Sequence, residues 1–209
     1  MTQVTNLVFA GVGGQGVLLI AEVTARAAAH VGFDVKQTEV HGVSQRGGSV
    51  ESHVRFGPQV HSPLVMPGTA DAVIGLEKLE ALRYANYLRL PVAFAPTGGA
   101  DRTGTLLVND HEIVPGSVAG AEEKYPHQAL DRLREKGVRM IVLPATQWAG
   151  DLGDGRMANI VMLGALSALL DLPDAAWREI LDAKLPSKSR ELNLRAFERG
   201  RESLSAIRE

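Results

Sequence analysis

Leu7-Val8-Phe9-Ala10-Gly11-Val12-Gly13-Gly14-Gln15-Gly16 is the stretch on which the fold turns. Its apolar run, Leu7 to Ala10, shows no polar alternation, the mark of a strand buried on both faces. A glycine turn follows, and then a helix pattern. Ile20, Val23, Ala27 and Val31 recur at helical spacing on one side, with Glu22, Arg26 and His30 every fourth residue on another. Glu22 stands four residues before Arg26, the favourable order for a helix ion pair. Gly32 is a stop signal.

Outward from this unit, strand and helix patterns continue to alternate. Asp34 to Val40 reads as extended. Val50, Ser52, Val54 and Phe56 alternate with Glu51, His53 and Arg55, which predicts a strand with one buried and one wet face. Gly57-Pro58 supplies a turn from which Val60-His61-Ser62 is expected to return as the second arm of a hairpin. Further strands are predicted at Ala72 to Leu76, Gly104 to Asn109 and Val138 to Leu143, and helices at Glu77 to Leu90 and His127 to Lys136. Pro96 to Gly99 and Pro115 to Pro126 read as loops. The C-terminal part turns helical, at Met157 to Leu170, Asp174 to Leu185 and Ser189 to Ile207. Strands alternating with helices predict an α/β fold: a three-layer, Rossmann-like single domain over 1–209, with a parallel-rich or mixed sheet and a helical C-terminal part.

Composition narrows the chemistry. The 209 residues are 45% hydrophobic and 22% charged, with a formal net charge of -2. This balance gives no electrostatic reason to expect nucleic acid or an anionic membrane as partner. The absence of cysteine excludes disulfides, thiolate zinc sites, cysteine nucleophiles and cysteine-ligated iron–sulfur clusters on this chain. Met1 to Asn6 shows neither the basic nor the apolar segment of a signal peptide, and no apolar run reaches the ~20 residues of a membrane span. A cytoplasmic protein is expected.

Gly11-Val12-Gly13-Gly14-Gln15-Gly16 also satisfies G-x-G-x-x-G between a strand and a helix. Glycines there allow close approach of a ligand to the backbone, and N–H groups at the helix start attract anions. Glu39 lies roughly where a ribose-binding acid would be sought. The alternative is that the glycines only let the helix pack tightly on the sheet. A second unusual stretch, Glu39 to Val50, centres on Ser44-Gln45-Arg46 between glycines. Arg46 offers a planar charged fork suited to phosphate or carboxylate, although a tight loop between strands explains the segment nearly as well.

Taken together, GVGGQG at Gly11 to Gly16 and EVHGVSQRGGSVESHVRFG at Glu39 to Gly57 resemble the gamma subunits of 2-oxoacid:ferredoxin oxidoreductases. Within that family the likeness is greatest to the small, or beta, subunits of indolepyruvate oxidoreductases. It continues through Ser62 to Val65, Ala70-Asp71, Leu79 to Arg83, Leu107 to Asn109, Ile113 to Pro115, Asn159 to Leu166 and Glu191 to Gly200. Leu90 to Thr105 and Gly116 to Tyr125 depart from the pattern.

The resemblance implies a divided enzyme. Members oxidatively decarboxylate a 2-oxoacid, usually capture the acyl group on coenzyme A, and pass electrons through iron–sulfur clusters. A larger partner subunit is then expected to carry thiamine diphosphate, Mg2+ and [4Fe-4S] clusters, in a hetero-oligomer with two or more copies. Gly11, Gly13, Gly14, Gln15, Gly16, Ser44, Gln45 and Arg46 become candidate coenzyme A contacts. No catalytic residue and no metal ligand is assigned to this chain. The other readings are a free-standing NAD(P)- or flavin-binding oxidoreductase and a non-enzymatic nucleotide-binding module.

Remaining polar residues carry weaker signals. His53 and His61 are expected as a solvated pair across the hairpin, and His41 as a structural hydrogen-bonding group. Gly150 to Gly155 reads as a turn rather than a calcium loop. Trp148 and Trp177 read as packing or interface residues, and the apolar stripe of Leu194, Phe197, Leu204 and Ile207 as the docking face of a helix.

Overall fold

The apolar run Leu7 to Ala10 lies wholly inside β1 (Thr5–Val12), and each of its four side chains is fully buried. Side chains of a strand alternate between faces. Leu7 and Phe9 accordingly enter the core on one side of the sheet, and Val8 the core on the other. β1 is joined by β2 (Asp34–His41), β3 (Ser49–Gly57), β4 (Ala72–Gly75), β5 (Thr105–Asn109) and β6 (Arg139–Leu143) in one sheet of order β2-β3-β1-β4-β5-β6. The computed structural model describes residues 3–41, 48–90, 103–114 and 125–205.

The sheet is mixed. β1, β4, β5 and β6 pair in parallel, while β3 is antiparallel to both β1 and β2. β2 therefore runs with β1 but is separated from it by β3. The predicted hairpin exists with different arms: β2 and β3 form it, and Val60 to Ser62 does not return as a strand. Asp34 explains part of this, because its carboxylate accepts the Val60 N–H at 2.8 Å and fixes the chain beyond Pro58 across the end of β2. The face of β3 expected to be wet is covered as well. His53 is 2% exposed, and its Nδ1 accepts the Val65 N–H at 3.1 Å, so it makes no solvated pair with His61. Burial holds its pKa below the ordinary histidine value.

One face of the sheet carries α1 (Val17–His30), α4 (Ala145–Asp151), α5 (Ala158–Leu169), α6 (Asp174–Lys184) and α7 (Arg190–Ser205). The other carries α2 (Lys78–Arg83) and α3 (Ala129–Glu135) around Val73, Leu106 and Val108. The predicted faces of α1 hold, and Arg26 meets Glu22 at 2.9 Å.

Two further expectations differ from the structure. α2 stops at Arg83 and a short 3-10 turn, Ala85–Tyr87, replaces the rest of the expected helix. The N–H groups of Ala70 and Gly68 are taken by the carbonyls of Tyr87 and Asn86, and this ties the segment to its neighbour instead of to its own next turn. The turn expected from Gly150 to Gly155 begins inside α4, a helix too short and too glycine-rich at its end to show a clear period. Asp154 then caps the 3-10 turn Gly155–Met157 by accepting the Arg156 N–H at 3.0 Å.

α5 and α7 cross with their backbones in contact. A Cβ on Gly164 would lie 1.9 Å from the Phe197 carbonyl oxygen, and one on Gly200 1.8 Å from that of Val161. Phe197, Leu204 and Trp177 are buried around this crossing, as the apolar stripe predicts for the described residues. Neither overlap can be relieved by a side-chain rotation, since the obstructing atoms are main chain. Gly164→Ala or Gly200→Ala should therefore separate the helices and cost about 3 kcal/mol, a fall of roughly 6–12 °C in Tm for a chain of this size. Gly150→Ala, in α4 with open space around it, should instead stabilise by about 0.5–1 kcal/mol. Thermal melts of the three variants check both directions.

Candidate functional site

β1 leads into α1 on one face of the sheet and β4 into α2 on the other, so their carboxyl ends flank a topological switch point, where open α/β sheets form their ligand crevice. The glycine loop lies at this point. Gln15 fixes it: its Oε1 accepts the Val12 N–H at 2.7 Å, and its Nε2 donates to the Leu76 carbonyl at 3.1 Å. Asn109, at the end of β5, donates to the same carbonyl at 3.1 Å and to Thr146 Oγ1 at 2.9 Å. Both functional atoms of the Gln15 amide are thus used to tie β1 to β4, which makes this candidate contact a positioning residue for the loop.

The glycines divide into different roles. Gly11 is a packing glycine, since a Cβ there would meet Val17 Cγ2 at 2.8 Å and Gln15 Oε1 at 2.9 Å. The Gly13 N–H is held by the Gly48 carbonyl at 2.9 Å, which joins the loop to the start of β3. Gly14 is exposed at φ 100° with nothing within 4 Å of a built Cβ, an open backbone position of the kind a ligand can approach. Gly16, at φ 81°, is the N-cap of α1 and offers no side-chain acceptor to the first turn. The leading N–H groups of that helix have no intrahelical partner either, so this end of α1 is disposed toward an anion. The packing explanation of the motif therefore holds at Gly11, while Gly14 and the start of α1 keep the open geometry that the ligand reading requires. Ser44, Gln45 and Arg46 lie outside the described residues.

Glu39 is exposed on β2. In the dinucleotide-binding order the second strand lies next to the first, whereas here β3 intervenes, which sets Glu39 one further strand spacing away from the loop. His41 ends β2 with its backbone in register with Val50, and its side chain lies outside the described residues.

Behind the loop lies a polar cluster that the sequence did not announce. Ser49, the first residue of β3, donates to Glu80 Oε2 and stands 3.2 Å from the Tyr84 hydroxyl. Burial raises the Glu80 carboxyl above the usual range. The Ser49 hydrogen bond and Arg83 oppose that shift, and Glu77 and Glu51 add to it. Burial likewise pushes Tyr84 up to about 12. Glu77 is buried and fully engaged: it accepts from Tyr125 Oη at 2.6 Å, the Ile113 N–H at 3.1 Å and the Glu80 N–H at 2.9 Å. No group of three or more potential ligands suited to a metal ion occurs among the described residues. Among them, too, no helix is long and apolar enough to cross a membrane.

A profile of the family described as pyruvate ferredoxin/flavodoxin oxidoreductase matches residues 6–203. The chain belongs to this family. It is 37% identical over 203 residues to indolepyruvate oxidoreductase subunit IorB of Archaeoglobus fulgidus, across 93% of this chain and 92% of that one. Solved structures share the fold. The gamma subunit of a keto/oxoacid ferredoxin oxidoreductase from Geobacter sulfurreducens has a TM-score of 0.68 at 24% identity, over 97% of this chain and 99% of that one. The 2-oxoglutarate:ferredoxin oxidoreductase of Magnetococcus marinus has a TM-score of 0.73 at 20% identity, over 99% of this chain and 32% of that one. The family is the one its motifs imply, and its mixed α/β sheet is the fold of the gamma-type subunit structure.

Glu80 supplies a test of the site's electrostatics. Its folded pKa is raised, so the stability it contributes is present below the unfolded carboxylate pKa and lost as pH rises through the folded value. Glu80→Gln keeps an acceptor for Ser49 and removes the buried charge. The variant should exceed the parent in stability at pH 8 by on the order of 1 kcal/mol, with the difference vanishing as pH falls into the ordinary carboxylate range. Because both proteins retain His53, its opposing titration cancels in the comparison. Urea denaturation of both proteins across this range measures the difference.

Proposed function

We propose that this chain is the non-redox subunit of a thiamine-diphosphate-dependent 2-oxoacid:acceptor oxidoreductase. Its substrate is an aryl pyruvate or a related 2-oxoacid, converted oxidatively to the acyl-CoA, and the glycine loop contributes to the coenzyme A region. The observation that carries the reading is the 37% identity with an indolepyruvate oxidoreductase subunit over nearly the whole of both chains. The absence of cysteine supports the division of labour, because a chain without thiolates supplies no cysteine ligand to an iron–sulfur cluster. A larger partner then holds the clusters, thiamine diphosphate and Mg2+. The Magnetococcus marinus enzyme supports such an assembly, since its matched region is a third of a longer chain, and that structure contains 2-oxoglutarate, coenzyme A and succinyl-CoA.

The residues present suit the phosphates of coenzyme A. Gly14 leaves its backbone open, and the uncapped start of α1 faces the same loop. In this reading the chain's part is to bind and position.

Purification under native conditions should bring along a larger chain that contains iron–sulfur clusters and thiamine diphosphate. This subunit alone should be colourless and without 2-oxoacid oxidation activity. Turnover by the isolated, cofactor-free chain would overturn the reading. In the reconstituted complex, Gly14→Ala places a side chain at φ 100° in the open loop. It should raise the KM for coenzyme A about tenfold, with the 2-oxoacid KM unchanged; equal shifts in both would remove the coenzyme A assignment.

A further inference from the structure

His53 sits midway along β3, on the face opposite Val54 and Phe56, and the two nitrogens of its buried ring are unequal. Nδ1 accepts the Val65 N–H at 3.1 Å. A ring nitrogen that accepts from an N–H holds a lone pair, so the neutral imidazole carries its proton on Nε2. Nε2 is buried with no hydrogen-bond partner among the described residues, 3.9 Å from Glu51 Oε1. Any further proton must therefore go to Nδ1, and there it turns the acceptor of the Val65 N–H into a second donor.

The bond holds a strap. Over β3, Val65 is buried between exposed Leu64 and Met66. Arg55 Nη1 donates to the Ser62 carbonyl at 2.8 Å and to the Leu64 carbonyl at 3.3 Å, and Thr69 Oγ1 donates to the Met66 carbonyl at 2.7 Å. Arg55 and His53 thus grip the carbonyl and the N–H of one peptide unit, Leu64-Val65, from the same face of β3.

We propose that His53 is a proton-operated latch for this strap: the neutral imidazole holds Val65 down, and uptake of one proton at Nδ1 releases it. The surroundings favour the latched form. Tyr87 packs edge-on against the ring at 5.3 Å between centroids, and β1 and β2 set Val8 and Thr38 opposite it. No residue from Ser62 to Thr69 titrates. The charges along this face are Glu51, to which Tyr84 hydrogen-bonds, Arg55, and Lys36, which stands opposite Arg55 and is paired with Asp34. Glu51 favours the imidazolium, but burial outweighs it and keeps His53 below the ordinary histidine value. In the released strap the ring meets water and regains that value, ~6.5. The latched form is therefore fully favoured above the ordinary value and loses ground as pH falls toward the lowered one. Release is local, since it exposes Val65 and a few backbone groups while β3 stays paired with β1 and β2. The strap lies toward the amino end of β1, where Arg55 also meets Asn6 at 2.8 Å. That is the end away from the glycine loop, and the inference is independent of the coenzyme A reading.

Amide hydrogen exchange of the full-length chain, divided by the intrinsic exchange rate at each pH, tests the latch. Protection of the Val65 amide should fall about tenfold per pH unit just below pH ~6.5, the slope for one proton taken up per opening. Phe9, in the central strand, should keep its protection over the same range. His53→Asn places an amide oxygen near the position of Nδ1 and does not titrate, so its Val65 protection should be independent of pH. Side-chain 15N spectra of His53 in the unmodified chain require no variant to fold. They should show the Nε2–H tautomer at neutral pH, and protonation of Nδ1 should proceed in step with the shift of the Val65 amide. A ring with its proton on Nδ1 at neutral pH overturns the latch, as does Val65 protection that is flat with pH in the unmodified chain. A fall shared equally by Phe9 also overturns it, because His53 would then be linked to unfolding of the whole domain. A slope at Val65 that persists in His53→Asn assigns the proton to another group and overturns it too.

Discussion

The hydrogen bonds of the Gln15 amide hold the working end of this fold in place. Three parallel strands end at the switch point, and a loop there would otherwise be tied only to β1 and the start of β3. Gln15 closes the turn on the Val12 N–H and reaches the Leu76 carbonyl beyond β4, where Asn109 from β5 donates to the same oxygen. One carbonyl thus gathers the ends of β1, β4 and β5. The position of Gly14 and the direction of α1 follow from this join, because both lie within a few residues of Gln15. An amide suits the task where a carboxylate would not, since it must accept from one backbone group and donate to another.

From this join, order extends into both layers. On the α2 side, Ser49 and Glu80 bind the start of β3 to the helix, and Gly48 passes the constraint to the Gly13 N–H. A buried carboxylate with raised pKa is a costly way to hold a strand. Its hydroxyl partner reduces that cost, and the arrangement fixes a specific register between β3 and α2. On the opposite side, Asn159 continues the support from α5, which is itself held by the glycine crossing with α7. The loop is therefore backed from both layers: α5 meets it at Gly16, and α4 reaches the end of β5 through Thr146 and Asn109.

Much of the fold was legible because its signals are local. The Leu7 to Ala10 run, the faces of α1 and the buried β4 and β5 depend on neighbours within a turn or a strand. The failures share a different cause. The wet face assigned to β3 rested on alternation, but Val60 to Val65 folds over it and buries His53. That cover is a tertiary event, and no period in the sequence carries it. α2 ends early because its next residues bond to the 66–70 segment. α4 was missed because seven residues ending near two glycines show too little period to separate helix from turn. At the site, the glycine motif was visible from spacing alone. The approach of Asn159 to Gly16 was not, because it joins residues far apart in the chain.

The GVGGQG motif also shows why a glycine signature must be read one residue at a time. Gly11 and Gly16 exclude a Cβ for steric reasons, against Val17 and Asn159 respectively. Gly13 contributes a donor that the fold itself consumes. Gly14 alone combines a left-handed backbone with open surroundings, so it is the glycine whose requirement is met by no contact within the chain. Gln15, the polar member of the motif, turns its polarity inward. A spacing that matches dinucleotide-binding turns thus arises here in a different sheet, with β3 inserted where the ribose-binding strand would lie. The motif encodes how β1, α1 and β4 are joined, and this joining leaves only a few of its backbone groups uncommitted.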